Sequence, residues 1–156
     1  MKGIIIYLRL EAYLRQWLTH HLGSPVRFPD RSYENALLLR LLSRPTGGYE
    51  PPTTVCPPDS VPVIVPDCAH RRPEYYCSLT RRAQAQMARA IDNLFRLHLW
   101  SECAPHIHSG QLNRSLDQWC ARQGIALDNR EAVRQKFYRM RHAYQEKGIF
   151  LRKRLP

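Results

Sequence analysis

The chain opens on a short β-branched and aromatic run, Ile4-Ile5-Ile6-Tyr7-Leu8, which gives way at once to helical spacing. A run this short and this apolar predicts a mostly buried strand. Leu10, Leu14, Trp17, Leu18 and His21 then recur at steps of three and four, which places them on one face of a helix that Gly23 can stop. Pro25-Val26-Arg27-Phe28-Pro29 follows as an extended segment held between prolines, suited to a sheet edge. Ser32 is positioned to cap a second helix, whose run Leu37-Leu38-Leu39 with Leu41 and Leu42 is too apolar for a surface helix and is expected to wedge into the core. Pro45 ends it.

Eight prolines, with Gly47 and Gly48, fall between Pro45 and Pro73. That density forbids regular helix and predicts a tether or an ordered surface arm. Only Val61 to Val65 can pair as a strand, and Pro62, which has no amide donor, predicts an edge position for it. Beyond the arm the pattern is helical. Ala83, Met87, Ala90, Ile91, Leu94 and His98 form a stripe on a long helix beginning near Leu79, and Leu97, Leu99 and Trp100 make its end apolar nearly all round. Pro105 and Gly110 break it. Leu112, Leu116, Trp119 and Cys120 trace a second helix closing at Gly124, with Ile125 as the apolar residue after the cap. Asp128 and Glu131 have capping-box spacing and predict the start of a third helix that runs to Gly148. The expected fold is α+β: a small N-terminal β-α-β-α unit over residues 1–44, a proline-rich connecting arm over 45–77 with one possible short strand, and a C-terminal three-helix unit of helix-turn-helix character over 78–156.

Charge sharpens this picture. The 156 residues carry 24 Lys and Arg against 13 Asp and Glu, a net charge of +11, and nine of the cations but only two of the acids lie after Asp128. Such asymmetry points to a nucleic-acid contact surface at the C-terminal end. On the third predicted helix Val133, Phe137, Met140 and Tyr144 project within about 40° of one another and should face the core. Arg130, Arg134, Tyr138, Arg141 and Gln145 share a neighbouring strip displaced by roughly 60° to 140°. Arginine can reach guanine edges or phosphates, glutamine can read adenine, and tyrosine can hold a phosphate, so this strip resembles a helix laid in a duplex groove. A preceding helix and the short connector Ile125 to Asp128 match the order of a helix-turn-helix, and Arg152, Lys153 and Arg154 would add phosphate contacts.

Competing chemistries find less support. No Gly-rich phosphate loop, nucleophile elbow or H-E-x-x-H occurs, and acids such as Asp59, Asp67 and Glu74 are scattered, so no enzyme activity is expected. Cys103, His106, His108 and Cys120, or Cys68, His70 and Cys77, offer zinc-type donors, but neither group has a C-x2-C knuckle and Cys120 lies on the apolar face of its helix. No metal and no cofactor are therefore expected. A Cys103 thiolate paired with His106 or His108 is a still weaker signal. His98 reads as a satisfied core histidine, and His20 with His21 as a surface pair at a helix end. Tyr49, Tyr75 and Tyr76 beside Arg71 and Arg72 could stack on an unpaired base, but anchoring of a loop is the favoured reading. Five cysteines, odd in number and irregularly spaced, predict no disulfide framework and a reducing compartment. The N-terminus lacks a signal-peptide pattern and no stretch is long and apolar enough for a membrane helix, so a cytoplasmic protein without a membrane partner is expected.

Tyr13-Leu14-Arg15-Gln16-Trp17-Leu18, then Pro25-Val26-Arg27-Phe28-Pro29, and later Phe95-Arg96-Leu97-His98-Leu99-Trp100, resemble an uncharacterised family of gut Bacteroidetes genomes and their mobile elements. The resemblance spans nearly the whole chain and implies a phage-like or transposon-like regulatory context, but it supplies no site residues. The reading from the residues is thus a non-catalytic nucleic-acid-binding protein, duplex DNA ahead of RNA. The alternative is a protein-interaction or homodimerisation module built on the N-terminal unit.

Overall fold

The computed structural model describes residues 3–47 and 55–149. Among them the chain is α+β, with a two-stranded sheet and five α-helices in the order β1, α1, α2, β2, α3, α4, α5. It divides into two compact units, Met1–Asp92 and Asn93–Pro156. The division falls inside α3 (Arg81–Cys103), whereas the composition of the chain suggested the proline-rich arm. The arm belongs to the first unit because it supplies half of that unit's sheet.

In the first unit β1 (Ile5–Arg9) pairs antiparallel with β2 (Ser60–Ile64), Ile5 opposite Ile64 and Arg9 opposite Ser60. Side chains alternate across the ribbon, so Ile6, Leu8, Val61 and Val63 are buried while their neighbours are half-buried or exposed. Pro62 finds a place here without an edge. Leu10 N donates to the Asp59 carbonyl at 3.0 Å and Val65 N to the Ile4 carbonyl at 2.9 Å, so the odd-numbered residues of β2 are the ones bonded toward β1. The Pro62 nitrogen points the other way, where Val26 makes a single parallel bridge. Val26 N donates to the Pro62 carbonyl at 2.8 Å and Ile64 N donates to the Val26 carbonyl at 2.9 Å, and neither bond needs an N–H from Pro62. The strand expected at an edge therefore has partners on both flanks, and the extended segment around Val26 shrinks to one bridge.

The outer edge of β1 is closed by a side chain. Gln84 Nε2 donates to the Tyr7 carbonyl at 2.8 Å, and Gln84 Oε1 accepts from Arg9 N at 3.2 Å. One carboxamide thus takes the place of a third strand and blunts the edge. Thr80 caps the helix that carries it, its Oγ1 accepting from Ala83 N at 3.1 Å.

α1 (Ala12–Leu22) buries Tyr13, Leu14, Trp17 and Leu18 and stops at Gly23, whose φ of 80° suits a residue without Cβ. His20 and His21 are exposed in its last turn, beside the negative end of the helix dipole. Ser32 caps α2 (Tyr33–Leu41), its hydroxyl accepting from Asn35 N at 3.1 Å. At the other end of α2, Arg71 Nη1 donates to the Leu39, Arg40 and Leu42 carbonyls at 3.0, 3.1 and 3.3 Å. The Arg71 and Arg44 guanidinium groups lie 5.5 and 5.3 Å from the centre of the Tyr76 ring. This cluster fastens the arm to α2, and a Ser43–Ser78 bridge closes the segment. Tyr49 lies outside the described residues.

Along α3 the buried row steps by four through Ile91, Phe95, Leu99 and Cys103. Leu94 and Leu97, expected inward or central, are 37% and 68% exposed. Every face carries large apolar residues there, so periodicity no longer selects one.

In the second unit α4 (Leu112–Arg122) buries the expected Leu112, Leu116, Trp119 and Cys120. It closes on Gly124, with Ile125 N donating to the Cys120 carbonyl at 3.0 Å and Gly124 N to the Ala121 carbonyl at 3.3 Å, and Ile125 packs inward behind the turn. α5 (Leu127–Glu146) starts earlier than Asp128. Its N-cap is Ala126, which lacks a capping side chain, so the expected capping box does not form. Asp128 instead sits in the first turn, where its charge still complements the exposed N–H groups. No helix among the described residues is long and apolar enough to cross a membrane.

Replacing Gln84 by alanine leaves the Tyr7 carbonyl and the Arg9 amide without this partner. We expect a loss of about 1 kcal/mol in stability by urea denaturation, larger than for Gln86→Ala on the same helix.

Candidate nucleic-acid interface

Only two side chains of α5, Val133 and Phe137, are buried, both at 0% exposure. Met140 is half-buried and Tyr144 is 41% exposed, so the row expected to face the core leaves it after Phe137. The core beneath is aromatic. Phe95 meets Trp119 edge to face at 5.6 Å, and Trp100 stacks on Phe137 at 5.3 Å with an interplanar angle of 29°. The Tyr144 ring continues this series, 4.8 Å from Trp100. Cationic rows lie on both sides of the short apolar one, and they differ in what they face.

The row singled out from the sequence runs along the seam with α4. Arg134 Nη2 donates to both carboxylate oxygens of Asp117 at 2.6 Å and its Nε to Oδ1 at 3.1 Å, while Nη1 reaches Glu131 at 3.4 Å. This forked pairing makes the Arg134 proton harder to remove, the hydrogen bond it donates to Asp117 being the main cause. Tyr138 donates its hydroxyl hydrogen to Asn113 Oδ1. Arg130 Nε donates to the Ile125 carbonyl at 3.5 Å. Arg141 is half-buried, its Nε covered and without a hydrogen-bond partner among the described residues, and Gln145 is exposed. Arg134 and Tyr138 are thus held by α4, and the row is less prominent than its composition suggests. Arg152, Lys153 and Arg154 lie outside the described residues.

On the opposite side lie two cations outside the expected strip, Lys136 and Arg139, together with Met140 and Tyr144 of the row expected to face the core. Lys136, Arg139, Met140, Ala143 and Tyr144 face Asn93, Arg96, Leu97 and Trp100 of α3 across a groove of about 520 Å³. The α3 residues are spaced three and four apart and so form one helical face. Three of the nine lining residues are cations and none is a carboxylate. Helical projection alone separates Lys136, Arg139 and Ala143 from the first row, at roughly 60° to 120° on the other side of Val133. What projection lacks is the identity of the facing helix: an acid-bearing α4 on one side and an Arg96-bearing α3 on the other.

Of the zinc-type donors, Cys103 and Cys120 are buried while His106 and His108 are exposed. Among the described residues no three His, Cys, Asp or Glu side chains converge as metal ligands would. Burial, and then the neighbouring Cys120, push the Cys103 thiol up to about 12; burial pushes the Cys120 thiol up to about 11. His98 is half-buried against the Trp119 ring at 5.4 Å, with Glu102 at 3.7 Å. No family model, curated protein or solved structure matches this chain.

Arg134→Ala should lower stability by about 1 kcal/mol, since the pair is forked but a third exposed. Arg139→Ala, exposed and outside that pair, should leave the urea midpoint unchanged. Because the raised thiol pKa values keep Cys103 and Cys120 protonated, folded protein at about pH 8 should spare both from iodoacetamide while exposed Cys56 is alkylated. Peptide mass mapping checks this. The same shifts contribute stability that is complete below the unfolded thiol value of 9.0 and is lost as pH rises toward about 12.

Proposed function

We propose that this chain is a non-catalytic nucleic-acid-binding protein that works through its C-terminal helical unit. The observation that carries the reading is the groove between α3 and α5, which gathers Arg96, Lys136 and Arg139 with no carboxylate in its lining. A solvated charged face usually intersperses both signs, as the Asp117, Arg134 and Glu131 cluster does. A concave surface of one sign concentrates a polyanion instead. The wider charge balance agrees: residues 93–156 carry twelve Lys and Arg against five Asp and Glu.

Within this reading α4, the connector 123–126 and α5 act as a helix-turn-helix-like pair, completed as a three-helix unit by the end of α3, and the first unit is a β-α-β-α scaffold in which Val26 stands for the second strand. Arg130, Arg134, Tyr138, Arg141 and Gln145 border the contact surface on the α4 side, with Arg152, Lys153 and Arg154 adding backbone contacts. A cytoplasmic regulator carried by a mobile element is the setting we propose.

Binding to a random-sequence duplex, titrated with salt beside an acidic control protein, tests the class of partner. The logarithm of the affinity should fall linearly with the logarithm of salt, losing about 0.9 per phosphate neutralised. Arg139→Glu should weaken binding without lowering thermal stability. Absence of binding at low salt to any nucleic acid would overturn the reading.

A further inference from the structure

We infer that the α3–α5 groove holds an unpaired nucleic-acid strand, with its phosphates on Arg96, Lys136 and Arg139 and a base stacked on Tyr144. This rests on the nucleic-acid reading above and assigns the ligand class of that site. A duplex offers its bases already stacked and is read by a convex helix that enters its groove. Here the cationic surface is concave, and its aromatic content would be idle against paired bases.

The aromatic series gives the stacking position. It starts in the core at Phe137, which has no exposed surface, passes through Trp100 at 5.3 Å and ends at Tyr144, 4.8 Å further on and 41% exposed. Trp100, itself stacked on Phe137, backs the Tyr144 ring at an interplanar angle of 45°, so the ring is held on one side and an incoming base can lie against its exposed face. Base-on-aromatic stacking of this kind is tolerant of sequence, because every base has a π-face. Exposed Leu97 gives the sugar edge apolar contact.

Charge placement separates a strand from an acidic peptide. Cations stand on both walls, Arg96 on α3 and Lys136 with Arg139 on α5. A nucleic-acid strand carries charge along its whole length and meets both walls. An acidic amphipathic helix presents its carboxylates on one face and would leave one wall unanswered.

The test compares a labelled thymidine oligonucleotide of about 16 nucleotides with a duplex of equal length, by fluorescence anisotropy on the full chain. The single strand should bind more tightly. It should also quench tryptophan emission, because Trp100 lines the groove whereas Trp17 and Trp119 are 5% and 1% exposed. Trp100→Phe should remove the quenching. Tyr144→Leu should lower single-strand affinity about tenfold while leaving the thermal midpoint and any duplex binding unchanged. Arg139→Glu should weaken the single strand and flatten its salt slope by about 0.7 or more. Duplex bound as tightly as the single strand, or Tyr144→Leu without effect, overturns this inference and leaves the nucleic-acid reading standing. Failure to bind either oligonucleotide at low salt overturns both, whether or not a Glu-rich amphipathic peptide binds in their place.

Discussion

α5 is twenty residues long and buries only Val133 and Phe137. That narrow anchorage governs the rest of the second unit. One turn of apolar contact fixes the rotation of the helix about its axis, and the rotation decides which cations meet α4 and which meet α3. Trp100, laid on Phe137, sets the floor on the α3 side, and from there the two helices leave a groove between side chains instead of a closed interface. A wider apolar row, running on through Met140 and Tyr144 into the core, would have closed that groove.

The two flanks of α5 illustrate how context assigns meaning to like charges. On one flank Asp117 accepts three hydrogen bonds from Arg134, so the guanidinium is neutralised locally and serves the α4–α5 packing. On the other, Arg96, Lys136 and Arg139 border a concavity lined without carboxylates. The Arg134 guanidinium is thus committed to the packing of α5 on α4, whereas the second flank sets its cations around a concavity. Helix closure at Gly124 and Gly148 uses the same carbonyl capping at both ends of this region, with glycine φ of 74° and 75°.

The first unit solves a different problem, how to build a sheet from a segment crowded with prolines. Pro62 sits in a strand because its missing donor falls on the side where only a carbonyl is required. Gln84 then satisfies the free edge of β1. Both solutions rely on hydrogen-bond phase, which depends on register between segments more than fifty residues apart.

Local chemistry made much of this legible from the residues alone. Short-range signals act within one turn of chain, so Ser32 as a cap, Gly23 and Gly124 as helix stops, Ile125 as the residue behind the stop, and the inward face of α4 could all be read directly. The α+β class followed from the change of period after Leu8, and the excess of cations in the C-terminal part is a matter of composition. Beyond one turn the reading weakened. Ala126 in place of Asp128 as the start of α5, and Phe95 and Leu99 in place of Leu94 and His98 on the inner row of α3, turned on packing against partners distant in sequence. The membership of the arm in the first unit depended on β2 finding β1. Which cationic row of α5 meets α4 and which borders the groove depended on Asp117 and Arg96, residues on two other helices. A sequence specifies charge and periodicity along one axis, whereas pairing and concavity belong to surfaces from different segments, and only the folded chain brings those surfaces together.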